Sequence, residues 1–460
     1  MSKLEPVPNV SSLQNTFKSR GLRVVDVKGD GNCFFRAVAF MLYGDSSLFN
    51  QVRARAVDHL INNQENYEAF LANEEEGSIA DFILSLSTNR EWADNLAIQV
   101  VADAYDTTID IVSDNAVHSH LAIPLSGNGG RLMVLGYIDQ LHYMATEPDL
   151  PFSTLTWGGT SEGVKLMNSC PLDGPLSWLM IAIELLPKLK SFVEAKKLSK
   201  VLEVLDLFQK SQGCAGKKFW FENIAGKEIS KGNMFGSETE QFFEPLSRSD
   251  LSRILYNKSC FGNCKSKTIK KNTLTLKQDN LLTFDERVQN ADKPVEEKCP
   301  KCSGETMISL NQPPPLVYFP QEAFKGEYEI PTVLTINGVV YILALITIFS
   351  SLKKHFSAYF RFNQNYWIYY DGIEKKKEKL FKSPQLTYET LRSILFLNID
   401  FFNGTALFVK DSIYLPESST NKGKKYGPKL VGIFVLLIVS LLFFLFSLFN
   451  IFNIFVIYYT

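Results

Sequence analysis

The chain has almost no net charge. Lysine and arginine total 48 and aspartate and glutamate 49, a formal net charge of −1, so no global field draws it to nucleic acid. Cysteine is sparse, and seven in 460 residues do not make a disulfide scaffold. They fall as two singles in turn-helix settings, two close pairs and a remaining Cys214, the pattern of a reduced, cytosol-facing chain with a metal site. Residues 1–20 lack the apolar run of a secretory leader and are expected to be flexible. Charge is also absent from Leu430 to Tyr458. That run is long enough to span a bilayer, and Lys422, Lys424, Lys425 and Lys429 precede it. Positive-inside logic keeps this flank in the cytosol. The expectation is a basic linker, 416–429, and a single transmembrane helix, 430–458, as a tail anchor with the bulk of the chain cytosolic. The length and the 45% hydrophobic content suit two domains with ample core.

Asp30-Gly31-Asn32-Cys33-Phe34-Phe35-Arg36-Ala37 places a lone thiol where a turn becomes a helix. Phe34, Ala37, Val38, Met41 and Leu42 recur at helical spacing behind it. Unpaired N–H groups and the helix dipole favour a thiolate there, and the same groups can hold an oxyanion. The competing reading is a buried structural cysteine. A strand is expected over Gly21–Val27 and a helix capped by Ser47. A solvated loop should follow at Glu74–Gly77. Thr88-Asn89-Arg90-Glu91 reads as a capping box opening a helix with Trp92, Leu96, Val100 and Ala104 on one face. Strands are expected over Thr107–Ser113, Leu132–Ile138 and His142–Thr146. Together these make an α/β domain over 21–151. His142 follows a turn and can serve as base to a thiolate, although a lone strand histidine is often structural.

A linker, 152–164, leads to Asn168-Ser169-Cys170-Pro171-Leu172-Asp173. Pro171 suits a first helical position, and Leu172, Leu176, Leu179, Met180 and Ile183 follow on one face, so Cys170 repeats the physics of Cys33. A further amphipathic helix is expected over Ser191–Lys210. Cys260-x3-Cys264 and Cys299-x2-Cys302 read as two knuckles of a four-thiolate structural zinc site, closed to water and thus not catalytic. The alternative is unligated knuckles. Beyond Pro315 the pattern turns to strands. Leu316–Phe319 is one, and Val333–Ile336 and Val339–Ile348 form a hairpin about Asn337-Gly338. His355 and Asp371 can lie on neighbouring strands, the acid orienting the imidazole.

The D-G-N-C-F-F-R-A segment, E-W-A-D-N-L-A-I-Q-V-V-A-D-A-Y and V-L-G-Y-I-D-Q-L-H-Y-M-A-T-E-P resemble the ovarian-tumour (OTU) cysteine proteases over residues 20–150. The resemblance implies cleavage of ubiquitin from proteins, with Cys33 as nucleophile, His142 as base and Asp30-Gly31-Asn32 as oxyanion turn. Met144 stands where many members carry an acid or amide that orients the histidine. Asp30 is the candidate for that role, the alternative being that it only stabilises the turn.

N-S-C-P-L-D, the two knuckles, H-F-S-A-Y-F-R, W-I-Y-Y-D-G and A-L-F-V-K resemble the ubiquitin-specific protease (USP) fold over residues 165–415. This implies a thumb, zinc-containing fingers (260–302) and a palm, with Cys170, His355 and Asp371 as triad and Asn168 as the amide ahead of the thiol. Lys165 replaces the family's oxyanion asparagine, and Pro-Leu-Asp-Gly replaces Tyr-Met-Asn-Ser after the thiol. The expected whole is α/β (α+β): an OTU-like domain, a USP-like domain and one transmembrane helix. It reads as a membrane-tethered cysteine deubiquitinase acting on ubiquitin or polyubiquitin chains. The rivals are a tethered ubiquitin-binding protein with inactive folds and a protease for another ubiquitin-like modifier.

Overall fold

The computed structural model describes residues 10–71, 78–127, 131–229, 231–262, 264–265, 267–271, 274, 276, 282–291, 295–299, 301–311, 313–324, 330–351, 353–363, 366–374, 378–382 and 404–414. The expected basic linker, transmembrane helix and Glu74–Gly77 loop lie outside these residues. Among the described residues no helix is long and apolar enough to cross a membrane.

A flexible leader was expected over 1–20; residues 1–9 lie outside the described residues, and the rest forms helix α1, Val10–Ser19. Leu13 and Phe17 lie one turn apart on one face. Both are buried and lean on Gly136. A short polar helix is weak alone, but an apolar pair suffices once a partner surface exists. Then come β1 (Leu22–Val25), α2 (Cys33–Tyr43), α3 (Phe49–Asn62), α4 (Glu68–Leu71), α5 (Ile79–Ser87) and α6 (Asn95–Ala104). The strands β2 (Thr107–Ser113), β3 (His120–Ala122), β4 (Arg131–Ile138) and β5 (His142–Pro148) complete the front half.

Two expected caps are corrected. Asp45, not Ser47, accepts the N–H at the entry to the turn before α3. Thr88 ends α5 rather than opening a helix, because its hydroxyl donates to Leu84 O and its N–H to Ser85 O. Residues 88–94 form a loop with Arg90 at φ +69°, and the cap of α6 is Asp94 rather than Thr88. The actual capping box is Ser78 with Asp81.

The second half begins with a small hairpin, β6 (Thr160–Ser161) and β7 (Val164–Lys165), then α7, Cys170–Leu185. The single helix expected over Ser191–Lys210 is two, α8 (Pro187–Ala195) and α9 (Ser199–Gln209), parted where Lys197 takes φ +50°. Helix α10 spans Gly213–Phe219. Strands β8 (Ile254–Cys260), β9 (Lys267–Lys271), β10 (Val295–Lys298) and β11 (Glu305–Leu310) make a separate four-stranded sheet in the order β10-β11-β8-β9. The palm follows: β12 (Leu316–Pro320), β13 (Val333–Ile336), β14 (Val339–Ser350), β15 (His355–Arg361), β16 (Tyr366–Tyr370), β17 (Glu378–Lys382) and β18 (Gly404–Lys410). The β13–β14 hairpin turns at Asn337-Gly338 as expected.

The two halves share one sheet. Its main path is β1-β5-β4-β17-β16-β15-β14-β18-β12, and the seam is the antiparallel pairing of Phe381 with Arg131. A hydrophobic core also crosses the seam, running from Leu13, Phe17 and Ile138 to Leu176, Tyr366 and Ile368.

Because Phe17 is fully buried beneath β4, Phe17→Ala should lower unfolding free energy by about 3–5 kcal/mol. Urea denaturation checks this; a loss under about 1 kcal/mol would mean α1 is not docked in solution.

Candidate active sites

Turn 30–32 is built around Asn32, which is buried. Its Oδ1 accepts from Arg53 Nη2 at 3.0 Å and from Arg90 N–H at 3.0 Å, and its Nδ2 donates to Asn89 Oδ1. Arg53 also donates to the carbonyls of Leu86 and Glu91 and stacks 3.9 Å over Phe35. Loop 86–91 is therefore clamped over the turn. Gly31 has φ +78°, and a Cβ there would sit 2.2 Å from Arg90 O, so no other residue fits.

Cys33 starts α2 and is buried. Its sulfur accepts the Tyr143 N–H at 3.5 Å. His142, at the start of β5, holds its ring within hydrogen-bonding reach of this thiol. The imidazole Nε2 lies 2.8 Å from Asp26 Oδ1, just beyond β1, so Nδ1 is the nitrogen left for the sulfur. The Cys33 bond holds the His142 pKa up at about 9, with Asp26 helping and burial opposing. An open cleft lined by Gln14, Val24, Asp26, Gly29, Ile138 and His142 runs beside the ring.

The expected acidic member is corrected here. Asp30 does not orient His142; its carboxylate meets Arg36, Oδ2 to Nη2 at 2.6 Å and Oδ1 to Nε at 3.0 Å. That fork pulls its pKa down to about 2. Asp30 stabilises the turn, and Asp26 is the histidine's partner. Asn32 is likewise not an oxyanion donor. Its side chain points inward, and its N–H bonds Asp30 Oδ1 at 3.2 Å. Among the described residues, the amides of Gly31 and Cys33 find no hydrogen-bond partner.

The second constellation assembles as its spacing suggested. Cys170 begins α7, half-buried. His355 opens β15 with its ring in hydrogen-bonding reach of the Cys170 thiol, and its Nε2 lies 2.8 Å from Asp371 Oδ1. Burial works against the His355 charge, yet Asp371 and Cys170 carry its pKa to about 9. Asp371 is itself held by Ile373 N–H and the Tyr369 hydroxyl. Asn168 departs from its expected role. It takes the turn at φ +57°, but its Nδ2 is engaged by Asn233 Oδ1 at 2.9 Å, away from the thiol.

The four paired cysteines converge. Cys260, Cys264, Cys299 and Cys302 place their sulfurs within 4.8 Å of one another, with Cys260–Cys302 at 3.4 Å and Cys264–Cys299 at 3.8 Å. Tetrahedral thiolates at ~2.3 Å from one ion would stand about 3.8 Å apart, so the cluster can hold a metal. A Cβ at Gly262 would come 2.7 Å from Cys302 Sγ, leaving the cradle open only to glycine. Backbone N–H groups of Lys301 and Cys302 draw the Cys299 pKa down to about 6.

Two residues of the candidate sites escaped the sequence reading. Asp26 lies just beyond β1, where the alternation put no special weight on it. Lys217 is fully buried in an ion pair with Asp173, Nζ to Oδ1 at 2.7 Å, and a lysine on a short polar helix gave no such signal.

An NMR titration of His142 should give a value near 9. Cys33→Ala should lower it most, Asp26→Asn should lower it less, and Asp30→Asn should leave it in place. Since the folded value exceeds the unfolded one, the stability this histidine contributes is complete below about pH 6.5 and is lost as pH rises through about 9. An Asp30→Asn shift equal to that of Asp26→Asn would contradict the assignment.

The comparisons divide along the same line as the structure. The model of the OTU-like cysteine protease family matches residues 28–133, and the family model described as dopamine receptor-interacting protein 1 matches residues 163–398. The ovarian tumor domain-containing deubiquitinating enzyme 10 of Arabidopsis thaliana is 28% identical over 142 residues, 31% of this chain and 39% of the relative. Enzyme 9 of the same plant is 26% identical over 149 residues, 32% and 42%. A putative ubiquitin thioesterase, L96, of Tipula iridescent virus is 27% identical over 144 residues, 28% and 16%. The chain thus spans about two fifths of the length of the plant relatives it matches. Among solved structures, the OTUD1 OTU domain is 20% identical with a TM-score of 0.26, covering 30% of this chain and 93% of that one. The SAGA Ubp8 DUB module bound to ubiquitin aldehyde is 10% identical with a TM-score of 0.36, covering 57% and 70%. The second family model takes in just over half of the chain, which therefore belongs to the dopamine receptor-interacting protein 1 family and carries an OTU-like cysteine protease domain ahead of that region.

Proposed function

We propose that the chain is a cysteine deubiquitinase whose working nucleophile is Cys33. The observation that carries this is the joint placement of the Cys33 thiol at a helix N-terminus, the His142 ring against it and Asp26 on the far nitrogen. The thiolate attacks the carbonyl carbon of the ubiquitin C-terminal glycine. The oxyanion forms beside the open amides of Gly31 and Cys33. The C–N bond breaks as His142 passes its proton to the leaving lysine amine, and a thioester remains. Water, deprotonated by His142, then attacks the thioester and Cys33 departs as thiolate. Asp26 keeps the ring oriented throughout, as a partner on the second nitrogen does in such triads.

Cys170, His355 and Asp371 form a second thiol site of the same type, on a USP-like thumb and palm. A second reading is favoured there by one observation, the turning of the Asn168 side chain to Asn233, and it accords with Lys165 standing where the resemblance puts an oxyanion asparagine. On that reading the rear half binds ubiquitin without turnover. The four-cysteine cluster would hold a structural zinc ion through Cys260, Cys264, Cys299 and Cys302, fixing the fingers. Residues 430–458 would anchor the protein in a membrane with residues 1–429 in the cytosol. Tethering would raise the effective concentration of substrates on the same bilayer.

Cleavage of di-ubiquitin of each linkage by wild type, Cys33→Ala, Cys170→Ala and the double variant tests the assignment. Cys33→Ala should lose nearly all activity, at least about a thousandfold as for loss of a covalent nucleophile. Full activity in Cys33→Ala, or cleavage of a different modifier in place of ubiquitin, would overturn it. Metal analysis should find one zinc per chain. Cys299→Ser should abolish it and lower the melting temperature while leaving Cys33 alkylation unchanged; a metal-free wild type with the same melting temperature would contradict the zinc assignment.

A further inference from the structure

We propose that Lys217 is the positioning residue of the second thiol site, its buried ammonium fixing the turn that presents Cys170. This rests on the reading of Cys170 as a nucleophile. The Lys217 side chain is wholly enclosed, and its Nζ donates to Thr156 O at 2.7 Å, Gly158 O at 2.8 Å and Ser169 Oγ at 3.0 Å. It also pairs with Asp173 Oδ1 at 2.7 Å. Ser169, buried and immediately ahead of Cys170, donates its hydroxyl to Asp173 Oδ2 at 2.7 Å and accepts the Gly158 N–H at 2.8 Å. One ammonium thus ties three segments: the strap entering from the front half, the residue before the thiol, and the first turn of the helix that bears it.

The strap then reaches the other side of the site, where Trp157 N–H bonds Gly372 O at 3.0 Å, next to Asp371. The spacing between the thiol helix and the His355–Asp371 pair is therefore set through Lys217. Of the chargeable groups at this site, His355 from β15 and Tyr370 from β16 interact with Cys170, Asp371 just beyond β16 meets His355, and Asp173 on α7 meets Lys217 and Ser169. Asp173 lies one turn along α7 from Cys170; burial pushes its carboxyl pKa up and Lys217 opposes that, so the ammonium both holds the carboxyl group and offsets its charge. Enclosing a charge this completely is costly unless it is paired, and the mechanism of the first site makes no use of it.

The test is the pH profile of Cys170 alkylation by iodoacetamide, followed by mass spectrometry on the full chain carrying Cys33→Ala, with melting temperature measured alongside. His355→Ala should move the midpoint to higher pH, because the thiol loses its proton acceptor. Lys217→Met should move the midpoint in the same direction and slow alkylation at pH 6.5 on the order of tenfold. It should also destabilise the fold, because a buried carboxylate loses its partner. Replacing the pair, Lys217→Met with Asp173→Leu, should restore the melting temperature without restoring the midpoint. Ser169→Ala, a smaller change, should move the midpoint the same way by a smaller amount. If the paired replacement or Ser169→Ala keeps the wild-type midpoint while the His355 dependence holds, Lys217 only stabilises the fold and the positioning role is wrong. If His355→Ala changes nothing, the reading of Cys170 as a nucleophile fails and the positioning role falls with it.

Discussion

A thiol at the start of a helix can hold a negative charge only if a proton acceptor stands in the right place. In this chain the candidate acceptor, His142, comes from a strand more than a hundred residues along the sequence. The Cys33 helix and the His142 strand are brought together by the packing of α2 on β5, where Phe34 meets Tyr143 edge-on at 5.4 Å. Asp26, from the neighbouring strand end, then fixes the ring. The rest of the front half reads as support for this contact. Arg53 and Asn32 clamp the turn from below, Arg36 locks Asp30 out of the site, and α1 supplies Gln14 to the cleft wall. A similar logic recurs at Cys170, where His355 and Asp371 are buried together and Lys217 supplies the bracing.

The seam between the halves bears on both sites. Phe381 pairs with Arg131, Arg20 bonds Asp110 at 3.1 Å, and Asn363 Nδ2 reaches back to Arg20 O at 3.0 Å. The segment joining the two halves is packed rather than slack: Thr154 and Leu155 are buried, and the Tyr370 hydroxyl donates to Leu155 O at 2.7 Å. With a shared sheet and a shared core, the described part of the chain up to Tyr414 forms one compact unit. The two thiol sites therefore sit on one fixed background and not on two freely rotating modules.

Much of this was legible in the sequence, for definite reasons. The hairpin at Asn337-Gly338, strand Thr107–Ser113 and the Cys33 helix rest on local signals that tertiary packing does not override. The clustering of four cysteines followed from knuckle spacing alone, and the His355–Asp371 bond from the hairpin that carries both. The misses are equally specific. Helix α1 looked like a polar leader because its two apolar residues matter only against β4. The Thr88 capping box was a correct local pattern defeated by Arg53, which takes the carbonyls of Leu86 and Glu91 and leaves that stretch as a loop. Asp30 was chosen over Asp26 because proximity in sequence to Cys33 says nothing about which carboxylate faces a histidine more than a hundred residues away. Lys217 was invisible because a buried lysine is recognised by its partners, and those lie in three segments some fifty residues away.

The most direct measurement is mass-spectrometric mapping of the adduct formed with ubiquitin carrying an electrophilic C-terminus. The account predicts a covalent adduct on Cys33 that persists in Cys170→Ala and disappears in His142→Ala. Reversible binding with no adduct, or an adduct confined to Cys170, would contradict it.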